Sequence, residues 1–357
     1  MVEKRQKKPL DHGNKKVKKA AVVEPVRRKP VKKVLKVSNK SLNHAVCVPT
    51  SILDGCSNLS QITYVVYQLA RTVTLFNVTE VVVLDLQKKK PSEKKKLTDA
   101  MLLASLLQYF VTPPYLIKSV FKKEYLTYFK EAAKLPRLSA LPFMRYPEEH
   151  RYREGLAIRM SKPDPNSKKE FKQTKYVNVG NKEPLELKAQ LVPTNVRVTV
   201  DTVEKKVVSP EEAYGDYVGA KASYGYHVRI AKSFAELFTA SPFPQGYSQT
   251  VWCNSGDFYY DENTKKHLKV ETRVPRLEKI IRSTVTEGDD STPTLLLVLG
   301  KWDHISKSFQ QSRDLFEGCE GAYQFFDGQL ELPGAVPQGN ITIPDSCTIA
   351  MTMLSTI

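Results

Sequence analysis

The sequence predicts an α/β domain that is interrupted by a small antiparallel β module. Residues 81–85 form an unbroken apolar strand, and segments with helical spacing of apolar residues precede and follow it. Such strands are typical of a parallel sheet that is covered on both faces. Between residues 154 and 230 short strand candidates follow one another without a long helix, and beyond residue 230 the alternation of helices and strands returns. The β module is therefore predicted as an insertion into one α/β domain.

The first α/β part, residues 41–153, begins with a predicted strand at residues 45–49. A helix is predicted over residues 60–76, where apolar residues recur at helical spacing. These residues are Ile62, Val65, Val66, Leu69, Ala70 and Val73. A second helix is predicted over residues 97–110.

The predicted module, residues 154–230, has strand candidates that are separated by turn residues. They lie at residues 156–160, 176–179, 185–191, 196–200 and 224–230. Regularly spaced short strands of this kind are typical of a small antiparallel barrel or sandwich.

The second α/β part, residues 231–357, begins with a short helix predicted at residues 233–239. Strands follow at residues 249–253, 294–299 and 323–326, and an apolar segment closes the chain at residues 347–354. The two parts together complete one α/β domain around the insertion.

The positive charge is concentrated at the N-terminus. Residues 1–40 carry 15 Lys or Arg and three acidic side chains, whereas the other 317 residues carry 40 basic and 35 acidic ones. A segment with this charge and no aromatic side chain is predicted to be a disordered basic arm. Such arms bind nucleic acid by releasing counterions and resemble nuclear or nucleolar address signals, which predicts a nuclear, nucleolar location. A solubilising tail is the alternative.

Several protein classes are excluded by composition. The five cysteines, Cys47, Cys56, Cys253, Cys319 and Cys347, form no CxxC pair, and the six histidines show no metal-ligand spacing. The sequence thus predicts neither a disulfide framework nor a zinc ribbon, and no metal site. No apolar run is long enough for a membrane span, and the polar N-terminus predicts no secretory signal.

Three glycine-containing loops adjoin predicted strands of the second α/β part. They occupy residues 254–256, 300–303 and 333–340. Because open α/β sheets bind ligands at the carboxyl ends of their strands, these loops are the expected walls of a pocket. The same glycines are also typical of ordinary turns. No GxGxxG sequence follows a strand and no P-loop is present, so the sequence does not predict a dinucleotide or nucleoside triphosphate site.

Several long collinear segments resemble one known family. They read SILDGCSNLSQITYVVYQLARTVTLFNVTEVVVLD from residue 51, LLQYFVTPPYLIKSVF from residue 106, REG from residue 153, GYHVRIAKSFAELFTASPFPQGY from residue 225 and QGNITI from residue 338. On these segments the chain resembles the SPOUT-class RNA methyltransferases that carry an inserted OB-like domain. The resemblance covers roughly residues 45–357.

The resemblance implies a trefoil-knotted α/β domain and an OB-like barrel for the module. It implies S-adenosylmethionine held by the knot loops, ribosomal RNA as substrate, methylation of a uridine ring nitrogen, and a homodimer or a heterodimer with a family paralogue. The cofactor-binding residues carried over from the family are Asn254, Ser255, Gly300, Gln338, Gly339 and Asn340, with Ile341 and Ile343 contributing main-chain contacts.

The chain departs from the family at the two glycine loops nearest the expected site. Where relatives read approximately GTSERG, this chain reads WCNSGD, and where they read QGSRTIRTEEA, it reads QGNITIPDSCT. Ile341 and Pro344 thus replace two arginines, and Ser346 and Cys347 replace two glutamates. Arginine and glutamate at a helix start would bind RNA phosphate and orient the target base.

With these departures, two main functions remain compatible with the sequence. The first is a methyltransferase whose catalytic base is unassigned, since Asp303 and Asp345 lie in the expected loops but are equally typical of helix caps. The second is a SPOUT-fold ribosome assembly factor that binds RNA without methyl transfer. A third, more distant alternative is an OB-type single-strand binder, in which tyrosines of the module would stack on bases rather than pack in the core. These tyrosines are Tyr214, Tyr217, Tyr224 and Tyr226.

Overall fold

The structure is a computed structural model that describes most of the chain beyond the predicted arm. The described residues are 42–86, 97–144, 150–160, 171–215, 225–283, 292–333 and 339–356. The predicted basic arm, residues 1–40, lies outside them. Among the helices of these ranges, none combines the length and the apolar character that crossing a membrane requires.

The described ranges contain the following strands and helices. The strands are β1 (Asn43–Pro49), β2 (Glu80–Leu84), β3 (Tyr152–Ala157), β4 (Gln173–Thr174), β5 (Tyr176–Asn178), β6 (Leu185–Glu186), β7 (Val192–Pro193), β8 (Arg197–Asp201), β9 (Lys206–Val208), β10 (His227–Ala231), β11 (Gln249–Asn254), β12 (Phe258–Asp261), β13 (Lys266–Lys269), β14 (Thr294–Val298) and β15 (Gly328–Glu331). The α-helices are α1 (Leu59–Leu75), α2 (Asp99–Phe110), α3 (Ile117–Val120), α4 (Pro210–Tyr214), α5 (Phe234–Thr239), α6 (Trp302–Gln311) and α7 (Ile343–Thr356).

A six-stranded parallel sheet forms the centre of the α/β domain, in the order β10-β2-β1-β14-β11-β15. Alternate residues of its strands enter two different apolar cores. Val81 and Val83 of β2 pack in one core, whereas Val82 and Leu84 pack in the other. The predicted parallel sheet with two covered faces is confirmed, since helices α1, α2 and α7 cover the first face and α5 and α6 cover the second.

The sequence located most elements of the α/β part to within one or two residues. Helix α1 begins after Asn58, whose side chain accepts a hydrogen bond from the backbone N–H of Gln61, and its stripe from Val66 to Val73 is buried. Helix α2 begins in the same way after Thr98. The short helix α5 follows the cap residue Ser233 as predicted.

The inserted segment forms an antiparallel sheet in the order β6-β5-β3-β8-β9, together with the two-stranded pair β4–β7. One predicted strand of the module was assigned wrongly. Residues 227–231 form β10, which pairs in parallel with β2 at the edge of the large sheet. Because an edge strand is only half covered, its side chains are partly exposed, and its sequence resembles that of an antiparallel strand.

A second correction concerns residues 323–326. The aromatic sequence there predicted a strand, but it forms a 3-10 turn at Ala322–Phe325, and the strand β15 follows at Gly328–Glu331. The ring of Phe325 packs against Phe234 and Phe316, with centroids 5.3 and 4.7 Å apart. Packing in this aromatic cluster, rather than sheet pairing, determines the local structure.

A buried polar cluster joins the β module to the α/β domain. The Glu154 carboxylate of β3 accepts hydrogen bonds from Arg197 (3.2 Å), Thr199 (2.7 Å) and Tyr214 (3.2 Å). Arg197 also donates to the Val111 carbonyl at 2.7 Å, beyond the end of α2. Burial raises the pKa of Glu154, and the charge of Arg197 opposes that rise. The hydrogen bonds fix the module against the domain.

Of the four module tyrosines considered for base stacking, the structure describes Tyr214, which is half-buried, and Tyr226, which is buried. Tyr214 donates to Glu154, and Tyr226 is buried and donates to the Leu107 carbonyl at 2.7 Å. These two tyrosines are core aromatics and not exposed stacking surfaces. Tyr217 and Tyr224 lie outside the described residues.

A second buried ion pair attaches the edge strand β10 to the sheet. Arg229 donates to Glu80 at 2.8 Å and to the carbonyls of Glu236 and Leu237 in α5. Tyr247 donates to the other Glu80 oxygen at 2.7 Å, and burial raises the pKa of this phenol well above its usual value. Every oxygen of the buried carboxylate therefore has a donor, as a charge in a protein interior requires.

Replacing Arg229 by alanine is expected to lower the free energy of unfolding by about 3–5 kcal/mol, because it leaves the Glu80 carboxylate buried without its cation. Urea unfolding followed by circular dichroism measures the change. The control is Lys134→Ala, which breaks an exposed pair with Glu131 and is expected to cost less than about 1 kcal/mol. Equal effects of the two substitutions would contradict the role assigned to Arg229.

Candidate functional site

Three loops meet at the carboxyl edge of the parallel sheet. Residues 254–256 follow β11, Gly300 follows β14, and residues 339–342 lead into α7. Because β14, β11 and β15 are neighbours and run in the same direction, their carboxyl ends lie side by side. The structure thus brings together the described loop residues that the sequence predicted for a ligand site. Gln338 lies outside the described residues.

Gly300 allows an unusually close contact between two loops. Its φ angle is +104°, and a Cβ atom there would lie 2.6 Å from Cγ of Pro49. Its carbonyl accepts a hydrogen bond from Nε1 of the fully buried Trp252 at 3.0 Å. The backbone at Gly300 is therefore fixed against the ends of β1 and β11, and no larger residue fits there.

The side chains of Asn254 and Ser255 act within their own loop. The Asn254 amide donates to Gln329 at 2.8 Å, its oxygen accepts from the Gly256 backbone N–H at 2.9 Å, and its carbonyl accepts from the Leu332 N–H. The Ser255 hydroxyl donates to Asp257 at 3.0 Å. These contacts hold the turn in shape, so any ligand contact of the loop involves mainly its backbone groups.

Asp257 carries a polar atom that the sequence did not single out. One of its carboxylate oxygens accepts from Ser255, while the other, Oδ2, is buried and has no hydrogen-bond donor among the described residues. A buried carboxylate oxygen without a donor is unfavourable by about 1–3 kcal/mol or more. The atom is suited to a hydroxyl or ammonium donor of a bound molecule.

The start of α7 is held by local contacts. The Thr342 hydroxyl donates to Asp345 at 2.6 Å, which forms the cap of the helix. Gly339 and Asn340 are exposed, whereas Ile341 and Ile343 are half-buried. Gly339, Asn340 and Ile341 precede α7, and Ile343 is its first residue. The first turns of α7 contact β11 through the Ser346 carbonyl, which lies 3.9 Å from the Cys253 thiol.

Three of the four positions that depart from the family pattern, Pro344, Ser346 and Cys347, are buried. Ser346 is 3% exposed and Cys347 is fully buried, and the Cys253 thiol faces the Ser346 carbonyl at 3.9 Å. Burial raises the pKa of Cys347 to about 12 and also raises the pKa of Cys253. Both thiols therefore stay protonated at neutral pH and act as packing groups, not as nucleophiles.

The carboxylates considered as catalytic bases have structural partners. Asp303 pairs with Lys307 at 2.7 Å on the exposed side of α6, and the Asp345 carboxylate, in the first turn of α7, accepts the hydrogen bond of the Thr342 hydroxyl. A polar pair at the same sheet edge was missed by the sequence. Nδ1 of His304 lies 3.0 Å from the Ser51 hydroxyl. The two residues are 253 positions apart, and no spacing signal connects them.

Comparison with known proteins identifies the family of this chain. Residues 43–354 match a family model described as "Putative RNA methyltransferase". The chain belongs to this family. The match includes both α/β parts and the inserted module, and it confirms the family that the sequence resemblance indicated.

Individual relatives extend the comparison. Two Saccharomyces cerevisiae proteins, each named "Putative methyltransferase", are similar to this chain. The first is 43% identical, and the alignment covers 91% of this chain and 98% of the yeast protein. The second is 42% identical, and the alignment covers 90% of this chain and 91% of the yeast protein. The human 28S rRNA (uridine-N(3))-methyltransferase is 33% identical over 58% of this chain and 56% of its own length. The family thus includes relatives named for methyl transfer to ribosomal RNA.

The substitution Gly300→Ala is expected to lower the free energy of unfolding by about 3 kcal/mol, because the φ angle and the contact with Pro49 both oppose a side chain. Two glycine controls separate these causes. Gly246→Ala adds only an unfavourable φ angle and is expected to lower the free energy of unfolding by about 1 kcal/mol. Gly55→Ala is expected to have the smallest effect, because Gly55 has open space around it and an ordinary φ angle. Urea unfolding of the three variants should rank them in this order, and a neutral Gly300→Ala would contradict the close contact.

Proposed function

We propose that this chain is an S-adenosylmethionine-dependent RNA methyltransferase that methylates a uridine ring nitrogen of ribosomal RNA during ribosome biogenesis. The convergence of the Asn254, Gly300 and Gly339 loops at one sheet edge supports a site for the cofactor. The relatives named as 28S rRNA (uridine-N(3))-methyltransferases support the substrate class. This function places the protein in the nucleus and nucleolus, in agreement with the basic arm.

The proposal includes a SPOUT-type trefoil knot and an OB-like insert. Strand β15 follows β14 in the chain but lies beyond β11 in the sheet, and this order is compatible with a SPOUT-type knot. The five-stranded antiparallel sheet supports the OB-like module. The division predicted from the sequence is residues 1–40, 41–153, 154–230 and 231–357. Because β10 (His227–Ala231) pairs with β2, we propose that the α/β domain resumes at residue 227 instead of 231.

The residues at the sheet edge fit the cofactor. Backbone groups of Asn254, Ser255 and Gly300 are available at close approach, and the buried Oδ2 of Asp257 offers an acceptor for a ribose hydroxyl or an ammonium group. The approach to α7 would supply the remaining contacts from Gln338, Gly339, Asn340, Ile341 and Ile343.

The bound cofactor would supply the methyl group, which passes from its sulfonium to the uridine nitrogen. The chain's own contribution is positioning, which can be worth on the order of 7–11 kcal/mol of the barrier. The fixed backbone at Gly300 and the turn held by Asn254 preorganise the loops for this purpose. Removal of the uridine proton requires a base, and we propose no residue for that task.

RNA is the proposed macromolecular partner, and a dimer is the proposed assembly. Two yeast relatives of nearly equal similarity occur in one organism, which supports pairing between paralogues as one form of the dimer. The family resemblance supports a homodimer equally.

A second candidate function is an RNA-binding ribosome assembly factor without methyl transfer. The buried Ser346 and Cys347 favour it, because the corresponding glutamates of relatives would supply polar groups at the start of α7. This candidate keeps the fold and the RNA contacts but not the chemistry.

Calorimetric titration of the full chain with S-adenosylmethionine and S-adenosylhomocysteine distinguishes the two functions. Binding in the micromolar range is expected for the methyltransferase. Asp257→Asn is expected to weaken binding of S-adenosylhomocysteine about tenfold or more, since a hydrogen bond to a charged group is lost. Asp303→Asn, an exposed change in the neighbouring loop, is the control and should leave the affinity unchanged. An intact fold without binding heat, alone or with a co-purified paralogue, would favour the assembly factor.

Deleting residues 1–40 is expected to lower the affinity for RNA and to flatten its dependence on salt. The segment contributes 15 basic side chains, and each phosphate contact that is lost reduces the slope of log K against log salt by about 0.7–0.9. Fluorescence anisotropy between about 50 and 200 mM salt measures the slope. An unchanged slope would assign the RNA contacts to residues 41–357.

A further inference from the structure

The hairpin of β12 and β13 begins directly after the Asn254 loop. Its strands pair in antiparallel register, with Tyr259 opposite Leu268 and Tyr260 opposite His267. The backbone N–H of Val270 donates to the Asp257 carbonyl at 2.9 Å, which closes the base of the hairpin beside the proposed cofactor loop. The hairpin therefore extends from the site itself and not from a distant surface.

Both tyrosines of the hairpin are exposed. Tyr259 is 51% exposed and Tyr260 is 54% exposed. Because neighbouring residues of a strand point to opposite faces, the two rings lie on different faces of the hairpin. Each face of the hairpin therefore offers one exposed ring on which a base can stack.

The turn of the hairpin is held in a defined shape. The Asp261 carboxylate accepts hydrogen bonds from the backbone N–H groups of Asn263 and Thr264 and from the Thr264 hydroxyl at 2.6 Å. At the base, Lys269 pairs with Glu331 of β15. The tyrosines are thus presented on a preorganised support, which reduces the entropy lost when a ligand binds.

The hairpin and the segment that follows it carry more basic than acidic side chains. Residues 257–282 contain seven basic and five acidic side chains, and two of the basic ones, Lys269 and Arg273, pair with Glu331 and Glu320. The basic residues are all exposed: Lys265, Lys266, Lys269, Arg273, Arg276, Lys279 and Arg282. Exposed aromatic rings among basic side chains are the combination that binds single-stranded nucleic acid, because bases stack on the rings while the cations contact phosphates.

We propose that this hairpin binds single-stranded RNA next to the cofactor loops, with one base on Tyr259, another on Tyr260 and phosphates at Lys265 and Lys266. The proposal rests on the proposed function, since it identifies the element that holds the substrate RNA beside the site. It applies equally to the catalytic and the non-catalytic form of that function.

The test measures binding of fluorescein-labelled oligouridine of about 15 nucleotides to the full chain by fluorescence anisotropy. The double variant Tyr259→Ala/Tyr260→Ala is expected to bind at least about tenfold more weakly, because each stacked base contributes about 1–3 kcal/mol. Tyr259→Phe/Tyr260→Phe keeps the rings and should bind within about twofold of the wild type. Tyr64→Ala, which removes a similarly exposed ring from α1, is the matched control and should have no effect.

A charge variant provides a second readout. Lys265→Gln/Lys266→Gln is expected to reduce the salt slope by about 1.4, since each phosphate contact to a single strand contributes about 0.7. All variants replace exposed side chains, and thermal unfolding verifies that each remains folded.

The outcomes separate this proposal from the proposed function. Weaker RNA binding by the alanine variant, with unchanged affinity for S-adenosylhomocysteine, supports the hairpin as an RNA element. Unchanged RNA binding by the alanine variant overturns the hairpin proposal while leaving the methyltransferase proposal intact. A wild-type chain that binds oligouridine through the hairpin but binds no cofactor overturns only the methyltransferase proposal.

Discussion

The common direction of the six strands in the large sheet is the constraint on which the site depends. Parallel strands place all their carboxyl ends at one edge, so loops that are far apart in sequence become neighbours. The loop at Asn254 and the loop at Gly300 are joined there by the hydrogen bond from Trp252 to the Gly300 carbonyl. Sheet pairing alone would leave the loops free to move, and this bond, with the contact to Pro49, fixes them relative to each other.

The sequence predicted the parts of the fold in which local pattern and tertiary packing agree. The buried strand β2 and the helix α1 have unambiguous apolar periodicity, and both occur within one residue or two of their predicted bounds. Strand β10 was misplaced because its pairing with β2 depends on Arg229 and Glu80, which are 149 residues apart. The strand predicted at residues 323–326 failed for a similar reason, since the ring of Phe325 packs against aromatic residues from distant elements.

For the candidate site, the sequence predicts a position but no side-chain roles. Glycine-containing loops next to strands are the basis of that prediction, whereas the roles of individual side chains depend on partners that sequence spacing does not reveal. Asn254 illustrates this point, because its amide is used by Gln329 and Gly256 and not by a ligand. The partnerless oxygen of Asp257 is visible only once the loop is folded around it.

The changes at the start of α7 affect a different side of the site from the hairpin. Cys347 lies on the buried face of α7, and a carboxylate at that position would need a buried partner in place of the neighbouring Cys253 thiol. The hairpin, in contrast, begins after Asp257, and the ion pair of its Lys269 with Glu331 attaches it to β15. Polar groups at the start of α7 can therefore be exchanged for apolar packing without altering the hairpin that we propose as an RNA-binding surface. The Asp257 segment carries both the proposed cofactor acceptor and the base of the hairpin. If binding of the cofactor orders this segment and so strengthens the binding of RNA, then RNA strengthens the binding of the cofactor by the same free energy. In a chain that has lost methyl transfer, the same segment would still hold RNA at the sheet edge.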